Sequence, residues 1–133
     1  MTASSFPSSP RRADGGTDRG TIGAAAEALA ARFLAARGLI IVARNFRTRH
    51  GEIDLIAREG ATLVFVEVRR RRSRAFGGAA ASITAAKRAR WTVAARAYLA
   101  RFAREPACRF DAVLMDGPDP PEIEWQRDVM AVE

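Results

Sequence analysis

The chain has 133 residues, of which 22 are Lys or Arg and 15 are Asp or Glu, giving a formal net charge of +7. That length suits one domain and excludes a multidomain machine, and a hydrophobic fraction of 48% excludes a wholly disordered chain. No apolar run approaches the roughly 20 residues of a membrane span, no N-terminal segment resembles a secretion signal, and a single cysteine excludes an intrachain disulfide. We therefore expect a cytoplasmic protein without a membrane partner.

The N-terminal residues differ in composition from the remainder of the chain. Residues 1–20 are rich in Ser, Pro, Gly and Asp and lack apolar periodicity, which predicts a disordered tail. One domain is expected over residues 21–133. It opens with an Ala-rich helix that has Thr21 as its N-cap, extends to Arg37 and stops at Gly38.

Strands and a second helix follow the first helix. Apolar runs predict five strands, over residues 39–42, 52–57, 63–69, 109–115 and 123–129. The turn at Glu59-Gly60 makes the second and third strands a hairpin. A long helix rich in Ala and Arg is predicted over residues 82–102. The first six of these elements, in the order α-β-β-β-α-β, predict a small α/β fold in which helices pack on a mixed sheet.

Charge is unevenly distributed along the chain. Residues 69–110 carry eleven Arg, one Lys and one acid, whereas residues 111–133 carry one Arg and seven acids. A cationic segment favours a polyanionic partner, and nucleic acid is the commonest polyanion in the cytosol. The alternative is a solubilising surface in a protein that prefers Arg, but such a preference does not explain the uneven distribution.

Two acids interrupt apolar strands. Asp54 and Glu67 each lie in a strand that is otherwise hydrophobic, where a carboxylate must be paired or bind a metal. Two buried carboxylates on adjacent strands repel each other unless a cation or a proton intervenes, and carboxylate oxygens suit Mg²⁺. Arg69 follows Glu67 by two residues on the same face, so a structural ion pair is the alternative.

Two further charged side chains lie on apolar stripes of the helices. Glu27 is on the inward stripe of the first helix, although a Glu at the edge of a stripe can also extend to water. Lys87 is the only lysine of the chain and lies one turn before Trp91 on the second helix. An ammonium places a compact charge beside a water, whereas the alternative is a lysine stem that packs on Trp91.

Several motifs together resemble a known family. They are Arg-Asn-Phe-Arg at 44–47, Gly-Glu-Ile-Asp-Leu-Ile-Ala at 51–57, Val-Phe-Val-Glu-Val-Arg at 64–69 and Glu-Trp at 124–125. With these motifs the chain resembles the YraN family of uncharacterised bacterial proteins from residue 21 to about residue 130. That family resembles the restriction-endonuclease-like superfamily, and most closely the archaeal Holliday-junction resolvases. The resemblance implies an αβββαβ core with a mixed β-sheet flanked by helices.

The resemblance also implies a nuclease site. The superfamily pattern has an acid on the first helix, an Asp on the second strand and Glu-x-Lys on the third, which Glu27, Asp54 and Glu67 match. Asp54 and Glu67 would bind Mg²⁺ or Mn²⁺, with Glu27 completing the shell directly or through water, and the metal would activate water for attack on a phosphodiester. Arg69 stands in place of the pattern's lysine and can stabilise charge but cannot act as a base, so Lys87 would supply the ammonium. Resolvases of this fold usually act as dimers, which implies a homodimer.

Three functions are therefore compatible with the sequence. The first is a resolvase-like Mg-dependent endonuclease acting on DNA or RNA, with DNA expected in preference to RNA. Its phosphate-binding residues would be Arg70, Arg71, Arg72, Arg74, Arg88 and Arg90, and such contacts recognise shape rather than base sequence. The second is a non-catalytic nucleic-acid-binding protein on the same fold. The third is a protein-interaction domain whose acidic C-terminal segment pairs with the cationic middle of the chain.

Overall fold

A computed structural model describes residues 18–71 and 83–130 of the chain. These residues form two helices and five strands, which are α1 (Asp18–Ala35), β1 (Ile40–Arg47), β2 (Glu52–Glu59), β3 (Thr62–Arg71), α2 (Ala85–Leu99), β4 (Cys108–Asp116) and β5 (Glu122–Met130). The predicted α/β class and the predicted order of elements are confirmed. Neither described helix combines the length and the apolar character that crossing a membrane requires.

The five strands form one mixed sheet in the order β1-β2-β3-β4-β5. Neighbouring strands are antiparallel except for β3 and β4, which are parallel and have α2 between them in the chain. The predicted hairpin of β2 and β3 is confirmed, because Glu59 pairs with Thr62 across the turn. Gly60 in that turn has a φ of 59°, a left-handed conformation that glycine adopts without a steric penalty.

The two helices pack on opposite faces of the sheet. Successive side chains of β3 divide between two apolar clusters: Val64 and Val66 pack with α1, whereas Leu63 and Phe65 pack with α2. Because side chains of a strand alternate between its two faces, this division places one helix on each face. It also explains why β3 is apolar at almost every position.

Several element boundaries differ from the predicted ones. Helix α1 begins at Asp18, so three residues assigned to the tail belong to the helix, and residues 1–17 lie outside the described residues. Strand β1 continues to Arg47, well past the apolar run, because backbone pairing with β2 extends it through polar residues. Helix α2 is shorter than predicted and begins after Thr84, whose hydroxyl accepts the N–H of Lys87 at 3.2 Å.

Candidate active site

A cleft of about 270 Å³ lies between the sheet and α2. Its lining residues are Glu52, Asp54, Glu67, Arg69, Lys87, Arg90 and Trp91. The structure thus brings together four of the five residues predicted to be catalytic, although they come from β2, β3 and α2. It also brings in one of the predicted phosphate-binding arginines.

The two acids meet where the pairing of β2 with β3 ends. The pairs run from Glu59–Thr62 to Leu55–Val66, and the same register carried one residue further sets Asp54 opposite Glu67. Oδ2 of Asp54 accepts the backbone N–H of Val68 at 2.9 Å. At this point the Asp54 side chain accepts a backbone N–H of β3, and this hydrogen bond holds the Asp54 carboxylate beside β3.

Burial makes the acidic pair costly to ionise. Asp54 is 8% exposed and Glu67 is 5% exposed. Burial first, and the neighbouring Asp54 second, raise the pKa of Glu67 to about 10, although the Arg69 guanidinium acts in the opposite direction. Burial also raises the pKa of Asp54, against the lowering effect of the Val68 N–H. At neutral pH the raised pKa of Glu67 keeps a proton on the pair, and the two carboxyl groups titrate as a unit.

Arg69 contributes the nearest cation to this pair. Its Nη2 lies 2.6 Å from Oε2 of Glu67. The guanidinium lowers the pKa of both carboxyl groups, because it favours their ionised forms. The structural ion pair considered from the sequence is therefore present, and it lies inside the cleft.

Helix α2 is held close to the sheet at the cleft. A Cβ atom at Gly51 would collide with the carbonyl oxygen of Arg90, so only glycine allows this approach of the end of the β1–β2 hairpin to the helix. The indole of Trp91 stacks on Phe110 with ring centroids 6.2 Å apart and an interplanar angle of 28°. These two contacts position the helical turn that carries Lys87, which is half-buried.

Glu27 lies apart from the other predicted metal ligands. It is 7% exposed, so it faces inward as the helical stripe predicts, but α1 packs on the face of the sheet opposite to α2. Glu27 does not line the cleft. Within residues 18–71 and 83–130, no three His, Cys, Asp or Glu side chains are grouped so that they could hold a metal. The three-carboxylate site implied by the resemblance is not assembled, and Asp54 and Glu67 remain as its candidates.

A pair of carboxylates fits a hard divalent cation. Mg²⁺ usually keeps several waters and takes one or two protein carboxylates together with phosphate oxygens of the substrate. Asp54 and Glu67 offer oxygen ligands, and the proton that they share is what a cation would displace. The donor set of the cleft thus suits Mg²⁺ or Mn²⁺, whereas zinc would call for His or Cys ligands.

Arg70 has a structural partner outside the cleft. Its side chain is 12% exposed and its Nη2 donates to Oδ1 of Asp119 at 2.8 Å, which ties β3 to the loop after β4. This contact joins the cationic middle of the chain to its acidic C-terminal segment, as the third hypothesis expects. Arg70 therefore has an ion-pair partner and does not line the cleft.

The other predicted phosphate-binding residues occupy different positions. Arg90 lines the cleft, and Arg88 is exposed on the same helix. Arg71 is exposed at the end of β3. Arg72 and Arg74 lie outside the described residues.

Comparison with known proteins identifies the family of the chain. A sequence profile of the family described as "Uncharacterised protein family UPF0102" matches residues 26–115, which include every residue of the cleft. The chain belongs to UPF0102. This membership confirms the resemblance to the YraN family.

Relatives from several bacteria match most of the UPF0102 chain. A UPF0102 protein of Methylobacillus flagellatus is 52% identical over 110 residues, which is 83% of this chain and 96% of the relative. One of Nitrosospira multiformis is 53% identical over 107 residues, covering 80% and 90% of the two chains. One of Ralstonia nicotianae is 54% identical over 116 residues, covering 84% and 87%.

Sequence reasoning missed two contributors to the UPF0102 cleft. Glu52 lines it, and its charge raises the pKa of both Asp54 and Glu67. The period-two alternation of a strand places Glu52 on the same side as Asp54, so this signal was available in the sequence. The steric role of Gly51 had no signal in the sequence, because it depends on where α2 packs.

A fourth buried acid, Asp111, was also missed by the sequence reasoning. It is 0% exposed, and its carboxylate accepts from Arg109 Nε at 2.9 Å, Trp125 Nε1 at 2.9 Å and the backbone N–H of Asp128 at 2.9 Å. Arg109 also bridges to Glu59 at 2.8 Å, which links β4 to β2. The donors around Asp111 satisfy its charge, so this acid anchors β5 to the sheet and lies outside the cleft.

Proposed function

We propose that this UPF0102 protein is a metal-dependent endonuclease that cleaves DNA or RNA phosphodiesters in the manner of a resolvase. The observation that carries the proposal is the pair formed by Asp54 and Glu67. Two buried carboxyl groups that face each other weaken a core for which apolar residues would serve better. A divalent cation that replaces their shared proton gives the pair a chemical purpose.

The side chains of the cleft divide the work of such a reaction. Asp54 and Glu67 would hold the metal, which when bound would supply an activated water at neutral pH and charge for the phosphate oxygens. Lys87 brings a compact ammonium whose N–H groups orient water or the departing oxygen, and Arg69 and Arg90 contribute charge that favours the phosphorane-like transition state.

Recognition in this cleft is expected to depend on phosphates. The cations are close to the acidic pair, so a phosphodiester drawn to them arrives beside the metal ligands. Trp91 is 3% exposed and stacks on Phe110, so its ring is not offered to a base. We therefore expect selection by the shape of the nucleic acid and little preference for base sequence.

One observation favours a second function, nucleic-acid binding without cleavage. Arg69 occupies the position of the superfamily lysine, and its guanidinium already balances the charge of the acidic pair at 2.6 Å from Glu67. In that case the folded protein has no electrostatic need of a metal. The cleft would then bind phosphates and leave them intact.

A cleavage assay tests the first function against the second. The purified protein is incubated with a four-way DNA junction, single-stranded DNA, duplex DNA and single-stranded RNA, in Mg²⁺, in Mn²⁺ and in EDTA. We expect nicking of at least one substrate with either metal, none in EDTA, and at least a hundredfold loss in Asp54→Asn, about the effect of removing one essential catalytic group. Asp119→Asn is the matched control, because this acid is exposed and does not line the cleft, and it should retain full activity.

Two further variants, Lys87→Ala and Arg69→Lys, distinguish cleavage from binding in the same assay. Activity that is lost in Lys87→Ala supports the ammonium role of Lys87. Activity that appears only in Arg69→Lys identifies the natural protein as a binder. Cleavage that persists in Asp54→Asn belongs to a contaminant and contradicts the nuclease proposal.

A further inference from the structure

We propose that Arg69 exchanges partners, from Glu67 in the metal-free protein to a substrate phosphate in the loaded one, so that cation and nucleic acid bind cooperatively. This inference rests on the proposed role of Asp54 and Glu67 as metal ligands. It adds a coupling between two ligands of one cleft, carried by a single side chain.

The hydrogen bonding of Arg69 is incomplete. Its Nη2 contacts Oε2 of Glu67 at 2.6 Å, but its Nε is buried and has no hydrogen-bond partner in the described part of the chain. A guanidinium presents a planar fork of N–H donors that matches two oxygens of one anion. The contact with Glu67 uses only part of that fork.

The side chains of Arg69 and Glu67 differ in exposure. The side chain of Glu67 is 6% exposed, whereas that of Arg69 is 26% exposed and reaches the cleft. The carboxylate is therefore fixed among core residues, and the guanidinium is the partner with room to move. An anion that enters the cleft meets Arg69 at its accessible side.

A bound cation and Arg69 would compete for the carboxylate oxygens of Glu67. A hard cation on Glu67 takes the carboxylate that Arg69 contacts, and two positive charges at that distance repel each other. The displaced guanidinium then needs an anion, and a phosphate offers oxygens in the bidentate geometry that arginine prefers. In the reverse direction, a phosphate that draws Arg69 away removes the cation that competes with the metal. Such coupling is reciprocal by thermodynamic necessity.

A binding cycle tests the exchange without relying on catalysis. A phosphorothioate-linked single-stranded DNA, which resists cleavage, is titrated by fluorescence anisotropy in EDTA and in Mn²⁺, and Mn²⁺ alone is titrated by calorimetry. Arg69→Met is compared with Arg90→Met, which removes an equal charge from the helix side of the same cleft. Both substitutions keep a long unbranched side chain.

The exchange predicts a metal-dependent effect of Arg69→Met only. In Mn²⁺ this substitution should weaken DNA binding about tenfold, the expected loss of one charge-assisted contact, and in EDTA it should have little effect because the guanidinium is then held by Glu67. Arg90→Met should weaken binding by the same factor in both conditions. Without DNA, Arg69→Met should tighten Mn²⁺ binding more than Arg90→Met does.

The outcomes separate this inference from the proposed function. Equal weakening by Arg69→Met in EDTA and in Mn²⁺, or no weakening in either, overturns the exchange while metal binding and cleavage stand. No Mn²⁺ binding and no metal-dependent cleavage in the wild type overturn both. If Arg69→Met does not fold by circular dichroism, Arg69→Lys keeps the charge, lacks the fork, and should still reduce the metal dependence of DNA binding.

Discussion

At the scale of single residues, the contacts of a buried acid distinguish a structural role from a functional one better than its degree of burial does. Asp111 is more deeply buried than Asp54 or Glu67, yet nitrogen donors from β4 and β5 satisfy its carboxylate. Asp54 and Glu67 instead face each other and share a proton. The repulsion between two facing carboxyl groups, rather than burial, therefore distinguishes the candidate site from a structural ion-pair network.

The acidic pair predicts that the metal-free protein loses stability as the pH rises. Folding raises the pKa of Glu67 from 4.5 to about 10 and also raises that of Asp54, so within that window the folded state binds more protons than the unfolded state. The stabilisation is complete below the unfolded pKa and is lost as the pH rises toward the folded pKa. We expect Tm in EDTA to fall between about pH 5.5 and about pH 9, and to fall less in Glu67→Gln.

Differential scanning calorimetry over that pH range provides the measurement. Asp119→Asn, which changes an exposed acid outside the cleft, should keep the slope of the wild type. A Glu67→Gln protein with the same slope as the wild type would show that Glu67 is ionised in the fold over this range, against the raised pKa.

At the scale of the elements, the seating of α2 on the sheet determines whether a cleft exists. Aromatic side chains anchor the helix, with Trp91 on Phe110 near its middle and Tyr98 edge-on to Phe46 at 5.1 Å near its C-terminal end. Gly51 sets how closely the β1–β2 hairpin approaches the helix at Arg90, next to Trp91. The charged side chains of the first turns of α2 are thereby held over the acidic pair.

Substitution of Gly51 tests this seating. In Gly51→Ala the new methyl group meets the carbonyl oxygen of Arg90, a backbone atom that can yield only if the helix shifts. We expect the free energy of unfolding in urea to fall by roughly 1–3 kcal/mol, as for other overpacked sites, and metal-dependent cleavage or DNA affinity to fall as well. Gly23→Ala is the matched control, since nothing lies within 4 Å of a Cβ there and alanine favours the helix. A Gly51→Ala protein with unchanged stability would contradict the proposed contact.

At the scale of the whole molecule, internal ion pairs use part of the positive charge. Arg70 pairs with Asp119, Arg109 pairs with Glu59 and Asp111, and Arg127 contacts Glu59. Fewer basic side chains therefore lie at the cleft and on the exposed face of α2 than the sequence of residues 69–110 suggests. Among the described residues, Arg69, Lys87 and Arg90 line the cleft, and the proposed function assigns the polyanion to this surface.

The salt dependence of binding reports the size of this surface. Contacts from Arg69, Lys87, Arg88 and Arg90 would release about four counterions, so the log–log slope for single-stranded DNA should be about −3. Arg88→Gln should make the slope shallower by about 0.7, whereas Arg37→Gln, at the end of α1 and away from the cleft, should leave it unchanged. Fluorescence anisotropy between low and moderate salt gives the slope, and a flat line would favour the protein-interaction hypothesis over both nucleic-acid functions.

The sequence by itself determined the order of the elements, the β2–β3 hairpin and the presence of acids in apolar strands. These features are local, since apolar periodicity and the turn at Glu59-Gly60 act over a few residues. Alternation along a strand also predicted that Glu67 and Arg69 share a face, and the ion pair at 2.6 Å agrees. Patterns within single segments were therefore enough to predict the two acids in apolar strands and the arginine beside Glu67.

Only the tertiary structure decided which charged residues share the cleft. Periodicity indicates that Glu27 faces inward, but it does not indicate which face of the sheet receives the helix, and α1 packs opposite to α2. The ion pair of Arg70 with Asp119 joins residues 49 positions apart, and the closeness of Gly51 to Arg90 depends on helix packing. Contacts between distant segments follow from how the whole chain packs, so no pattern within one segment encodes them.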